Sequence, residues 1–219
     1  MSGWRPNWTV KREKSVYELG RHYIFSELVE RYDVVFDTSI LDIQYGDPAQ
    51  KSAHREDLVL SLEKGMAVTD DAVASEMWGI NALYNDKTLT GLVKSSIRAY
   101  PVDFDEAYEY IHHMAIQHGV AGNKFSDRTD VKIATRAYLL GKYFPVLATA
   151  DHKLCDMILG INKQVKDWIA PECINPPRRL VEPWCMHKRV GIFIPWYGKK
   201  DYTKRVSHLK DKGIISPPE

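Results

Sequence analysis

The run Tyr32-Asp33-Val34-Val35-Phe36-Asp37-Thr38 constrains this chain more than any other stretch. Three consecutive β-favouring apolar residues, Val34, Val35 and Phe36, suit a short strand covered on both faces, as strands of a parallel sheet are. The strand then stops on a carboxylate, Asp37, followed by two hydroxyls, Thr38 and Ser39. Ligands of open parallel sheets gather beyond the carboxyl ends of the strands, so Asp37 stands where chemistry is usually done. A second run, Val146-Leu147-Ala148-Thr149, also ends near a carboxylate, Asp151.

Helical periodicity fills much of the rest. Apolar spacings predict a helix over 15–31, a mixed charged helix over 52–64 closed by Gly65, and a short strand over 66–69. Thr69 or Asp70 then caps a helix reaching about Tyr84, with Val73, Met77 and Ile80 on its buried stripe. Glu76 lies beside that stripe, where a carboxylate needs a partner. Residues 85–100 carry a weak pattern. A capping-box pattern over 103–106 opens a helix to about Gly119, and Asp127 or Asp130 starts another that ends at Gly141. Residues 154–159 read as helix, 165–169 as a strand, and 192–194 as the strand-like run of the C-terminal part. The expected organisation is an N-terminal helical extension over 1–31, an α/β core over 32–172, and a basic, aromatic extension over 173–219.

Composition narrows the class. The 219 residues are 44% apolar, with neither an apolar run of membrane-spanning length nor a basic-then-apolar leader, so the expectation is a soluble, cytoplasmic protein. Cys155, Cys173 and Cys185 make no CxxC pair and read as reduced thiols. Between Arg178 and Lys212, ten Lys and Arg face three acidic residues, giving this stretch +7 in a chain whose net charge is +1. An acidic body beside a basic stretch containing flat aromatics suits a protein holding cations in one place and a polyanion next to them. Arg178, Arg179, Lys188, Arg189, Lys199 and Lys200 are the candidate phosphate contacts, and Trp196 the candidate base-stacking residue. The alternative is a solvated basic face whose aromatics pack on the body.

Four carboxylates fall at element ends or on an inward face: Asp37, Glu76, Asp130 and Asp151. Gathered in one cleft they repel one another unless divalent cations neutralise them, and an all-oxygen ligand set selects Mg²⁺ or Mn²⁺. Two such ions can activate a water and stabilise the leaving oxygen of a phosphodiester. Asp127 competes with Asp130 for the third position, since one of them can be the N-cap of the other's helix. The I-A-x-x-A spacing that follows favours Asp130. Thr38, Ser39 and Thr149 would orient ligands or a water.

These motifs together resemble the PIN-domain nucleases: a strand into Asp37-Thr38-Ser39, an acid on a following helix (Glu76), the start of a helix reading Asp130-x-x-Ile133-Ala134-x-x-Ala137, and a strand into Thr149-x-Asp151. Their order and separation agree over about 32–171. The resemblance implies a Rossmann-like three-layer α/β/α fold and metal-dependent phosphodiester hydrolysis, usually of RNA. It leaves open a homodimer and an antitoxin-like protein inhibitor as partners. Cleavage of DNA is an alternative, as is a PIN-like module that binds without cutting. A dehalogenase-like phosphatase also opens with a strand into Asp, but the second Asp it needs is replaced here by Ser39.

Overall fold

The computed structural model describes residues 19–80, 85–117, 125–140, 145–167 and 180–215, with the backbone alone at 125–127 and 165–167. Its described elements, in order, are α1 (Phe25–Arg31), β1 (Asp33–Phe36), a 3-10 turn (Thr38–Ile40), α2 (Pro48–Glu63), β2 (Ala67–Val68), α3 (Asp71–Met77), α4 (Lys87–Ser95), α5 (Phe104–Gln117), α6 (Phe125–Leu140), β3 (Pro145–Thr149), α7 (His152–Asp167), β4 (Glu182–Met186), β5 (Phe193–Pro195) and α8 (Lys199–Asp211). The strands form one sheet in the order β2-β1-β3-β4-β5, parallel except for the last pair. This α/β arrangement is compatible with three α/β/α layers.

The apolar runs explain the centre of the sheet. Val34, Val35 and Phe36 of β1, and Val146, Leu147 and Ala148 of β3, are all at most 1% exposed. Side chains alternate in direction along a strand, so burial of every position means that both faces are covered. Phe25 of α1 packs edge-on against Phe36 at 6.1 Å between ring centroids, anchoring α1 to one face. No helix among the described residues is long and apolar enough to cross a membrane.

Several boundaries differ from those read in the sequence. The second helix begins at Pro48, because Asp47 and Gln50 cap it reciprocally: Gln50 N–H donates to Asp47 at 2.8 Å, and Asp47 N–H to Gln50 Oε1 at 3.0 Å. Proline at the first helical position loses no needed hydrogen bond, so the turn signal there is a helix start. Asp86 caps α4 through Leu89 N–H, giving structure to the weakly patterned stretch. Helix α3 ends at Met77 and leaves Ile80 exposed. Helix α7 runs through the expected strand at 165–169 as far as Asp167. The sheet also extends past position 172, since β4 and β5 come from the expected extension and Trp184 of β4 lies in the main core. Of the three cysteines, Cys155 and Cys185 are free and buried, and Cys173 lies outside the described residues.

Candidate active site

The site is assembled at the carboxyl ends of β1 and β3. Asp37 N–H donates to Ala148 O at 3.1 Å, which carries the β1–β3 ladder one residue past the strand and fixes where its side chain leaves the sheet. Three donors then converge on Asp37 Oδ2: the Ser39 hydroxyl at 2.5 Å, the Thr149 hydroxyl at 2.8 Å, and the Ser39 N–H at 3.4 Å. Each hydroxyl also accepts, Ser39 Oγ from Ala150 N–H at 2.7 Å and Thr149 Oγ1 from Asp151 N–H at 3.0 Å. A hydroxyl has one proton, and both protons are given to Asp37, so the 3.1 Å approach of Ser39 Oγ to Thr149 Oγ1 is contact without a further bond. Burial pushes the Asp37 carboxyl above the usual range, and these donors pull the other way.

Glu76, in the last turn of α3, comes to the same place. The Thr38 hydroxyl donates to Glu76 Oε2 at 2.5 Å, and Thr129 of α6 also hydrogen-bonds its carboxylate. Burial is the largest influence raising Glu76, the neighbouring Asp37 charge adds to it, and the two threonines oppose it. Among the described residues neither Asp37 nor Glu76 is in a salt bridge. A buried and a half-buried like charge close enough to repel, held by hydroxyls and amides without a cation, are costly unless a positive charge arrives.

The other candidates are placed around this pair. Asp151 follows β3, hydrogen-bonded to Thr149 through its backbone, and its Oδ1 accepts from Lys153 N–H at 2.7 Å. Asp130 is half-buried on α6, one residue beyond Thr129. The side chain of Asp127 lies outside the described residues. Among the described residues, no three of Asp, Glu, His or Cys gather closely enough to hold a metal ion. The structure therefore brings Asp37 and Glu76 together, and sets Asp151 beside them on the adjacent strand end. It does not close the four acids into one cluster.

Two residues that the sequence reading passed over support the site. Thr129 precedes Asp130 and reaches Glu76 itself. Arg136, two turns along α6 from Thr129, donates from Nε to Asp70 Oδ2 at 3.0 Å, with the side chains 4% and 0% exposed. Asp70 caps α3 through Ala72 N–H, so α6 holds that helix at its N-cap through Arg136 and at its last turn through Thr129. The spacing of 129 and 136 on one helical face was legible; their partners on α3 were not.

The C-terminal residues are arranged differently from the expected nucleic-acid surface. Trp196 is fully buried, its indole N–H donating to Asp156 at 2.8 Å and its ring against His152 and Tyr202, so it has no face for a base. Arg205 is equally buried, bonded to Asp201 at 2.5 Å and lying over the Tyr197 ring. Lys188 and Arg189 are half-buried in the turn before β5, Lys199 and Lys200 are exposed at the start of α8, and Arg178 and Arg179 lie outside the described residues. The flat aromatics have gone into the core, because apolar rings lower the free energy most when removed from water. Exposed lysines remain.

No family model, curated protein or solved structure matches the chain.

Proposed function

We propose that this protein is a Mg²⁺- or Mn²⁺-dependent hydrolase of phosphodiester bonds, PIN-like in fold and acting on RNA. One observation carries the reading: Asp37 and Glu76, at the carboxyl edge of a parallel sheet, share a desolvated site with no cationic side chain on either among the described residues. Their donor atoms are all oxygen, which fits a hard divalent cation. Asp37 and Glu76 would hold it, with Asp151 and Asp130 the further carboxylates within the same part of the fold. When bound, the metal supplies a Lewis acid and an activated water. The chain contributes orientation: Ser39 and Thr149 lock Asp37 Oδ2, and Thr38 with Thr129 lock Glu76, so neither carboxylate must reorganise on binding.

A module that binds RNA without cutting is the second reading. It is favoured by the fact that, among the described residues, no three of Asp, Glu, His or Cys gather closely enough to hold a metal ion. Incubating a labelled single-stranded RNA with Mn²⁺, and with EDTA in its place, separates the readings. Metal-dependent cleavage by the native chain, lost in Asp37→Asn and Glu76→Gln, supports the hydrolase. Mn²⁺ binding by calorimetry with intact RNA supports the binding module.

A further inference from the structure

A group of side chains on the far side of β3 from Glu76's helix takes no part in the hydrolase reading. Side chains alternate along β4, so Trp184 enters the main core while Cys185 enters the smaller one that it shares with Cys155, Trp196 and Tyr202. His152 and Cys155, three apart at the start of α7, lie on one helix face. Cys155, the His152 ring and the Tyr202 hydroxyl all hydrogen-bond Cys185 Sγ. Two free thiols from different elements are therefore in contact, with two polar rings on one of them.

The two sulfurs are not equivalent. The hydrogen bond from Cys155, with those from His152 and Tyr202, holds the Cys185 thiol well below its ordinary range against the opposing effect of burial, whereas burial above all raises Cys155. One sulfur is disposed to attack, and a protonated one waits beside it. Both are buried, but His152 is exposed, so Cys185 lies one side chain beneath the surface. A reagent near water in size suits that approach. The ladder pairs Cys185 with Thr149, whose hydroxyl holds Asp37, which puts the thiols at the same carboxyl edge as the acids.

We propose that Cys185 and Cys155 form a modification site for small hydroperoxides, at which the two thiols close reversibly to a disulfide. Cys185 sulfur attacks one peroxide oxygen and the O–O bond breaks; the leaving oxygen takes up the proton that the thiol gave up, and Cys185 becomes a sulfenic acid. Cys155 sulfur then attacks Cys185 sulfur, the S–O bond breaks, and hydroxide leaves with the Cys155 proton as water. The pair gives up two electrons and the peroxide receives them. A thiol reductant reverses the change.

The test is treatment of the folded full chain with hydrogen peroxide, removal of peroxide with catalase, then unfolding, alkylation and peptide mass mapping. The peptides of Cys155 and Cys185 should be joined, about tenfold or more in excess over any pairing with Cys173, since the fold holds the first two in contact. The same treatment in urea should give mixed pairings, and dithiothreitol should return all three cysteines to alkylation. Cys155→Ala should stop at a Cys185 sulfenic acid trapped by dimedone, and Cys185→Ala should leave Cys155 unmodified. Full alkylation of both thiols after peroxide, the same mixture of pairings folded and unfolded, or a Cys185 sulfinic acid beside an alkylated Cys155 overturns the proposal. Mapping of the native chain decides alone if either variant fails to fold. It requires neither metal nor RNA, so its outcome is independent of the hydrolase reading.

Discussion

The Thr38 hydroxyl donates to Glu76 Oε2 at 2.5 Å across 38 residues of chain, and so ties the residue after Asp37 to the last turn of α3. Asp37 points one way from this junction, toward Ser39 and Thr149, and Thr38 the other, toward Glu76. Consecutive residues thereby serve both carboxylates.

Removing the Thr38 hydroxyl should loosen the second carboxylate without touching the first. In Thr38→Val, Glu76 loses one of its two threonine donors, at a cost of about 1–3 kcal/mol for a half-buried acceptor left short. Calorimetric titration with Mn²⁺ should show weaker binding, with the Asp37 hydrogen bonds unchanged. Unaltered Mn²⁺ affinity would exclude Glu76 from metal binding.

The raised carboxyls of Asp37 and Glu76 make a directional prediction for pH. Their folded-state values lie above those of the unfolded chain, so the native state keeps these protons to higher pH. The associated stability is present below the ordinary carboxylate range and is lost as pH rises through the raised values. Without metal, Asp37→Asn should therefore melt higher than the native chain at neutral pH, by about 2–4 °C for each kcal/mol of buried-charge cost relieved. The difference should shrink toward pH 4. A variant that melts well below the native chain at pH 7 would mean that the hydrogen bonds at Asp37 Oδ2 outweigh the cost of burying its charge.

Breaking the Asp70–Arg136 pair on one side should be severe. Arg136→Met leaves a buried, uncompensated carboxylate at the start of α3, which typically costs about 3–5 kcal/mol. Asp70→Asn should cost less on the capping side, since Asn also caps, yet it leaves Arg136 unpaired. Urea unfolding of both single variants and the double variant measures the coupling directly.

The C-terminal aromatic and basic residues should behave oppositely in two variants. Trp196→Ala removes a fully buried ring and should destabilise by about 3–5 kcal/mol, with little change in RNA affinity per folded molecule. Lys199→Ala with Lys200→Ala, both exposed, should leave stability within about 0.5 kcal/mol each. Chemical denaturation with anisotropy on the same samples distinguishes the two effects.

Much of the frame was legible in the sequence because its causes are local. The apolar runs of β1 and β3 require cover on both faces wherever they lie, and the acids after them necessarily fall at the strand ends. Asp37, Asp151 and the inward lean of Glu76 follow from strand and helix periods of two and 3.6 residues. Tertiary packing decided the rest. Periodicity says which face of α6 is buried, but not that Thr129 would meet Glu76 or that Arg136 would meet Asp70, 66 positions away. Composition likewise showed rings and cations together near the C-terminus, while only the pairing of β4 with β3, and the packing of α8 beside β5, determined that Trp184, Trp196 and Arg205 would turn inward. A pattern along the chain specifies that a side chain must leave water. Which neighbour receives it depends on contacts between elements far apart in sequence, where many pairings satisfy the same pattern and the one that packs most closely is adopted.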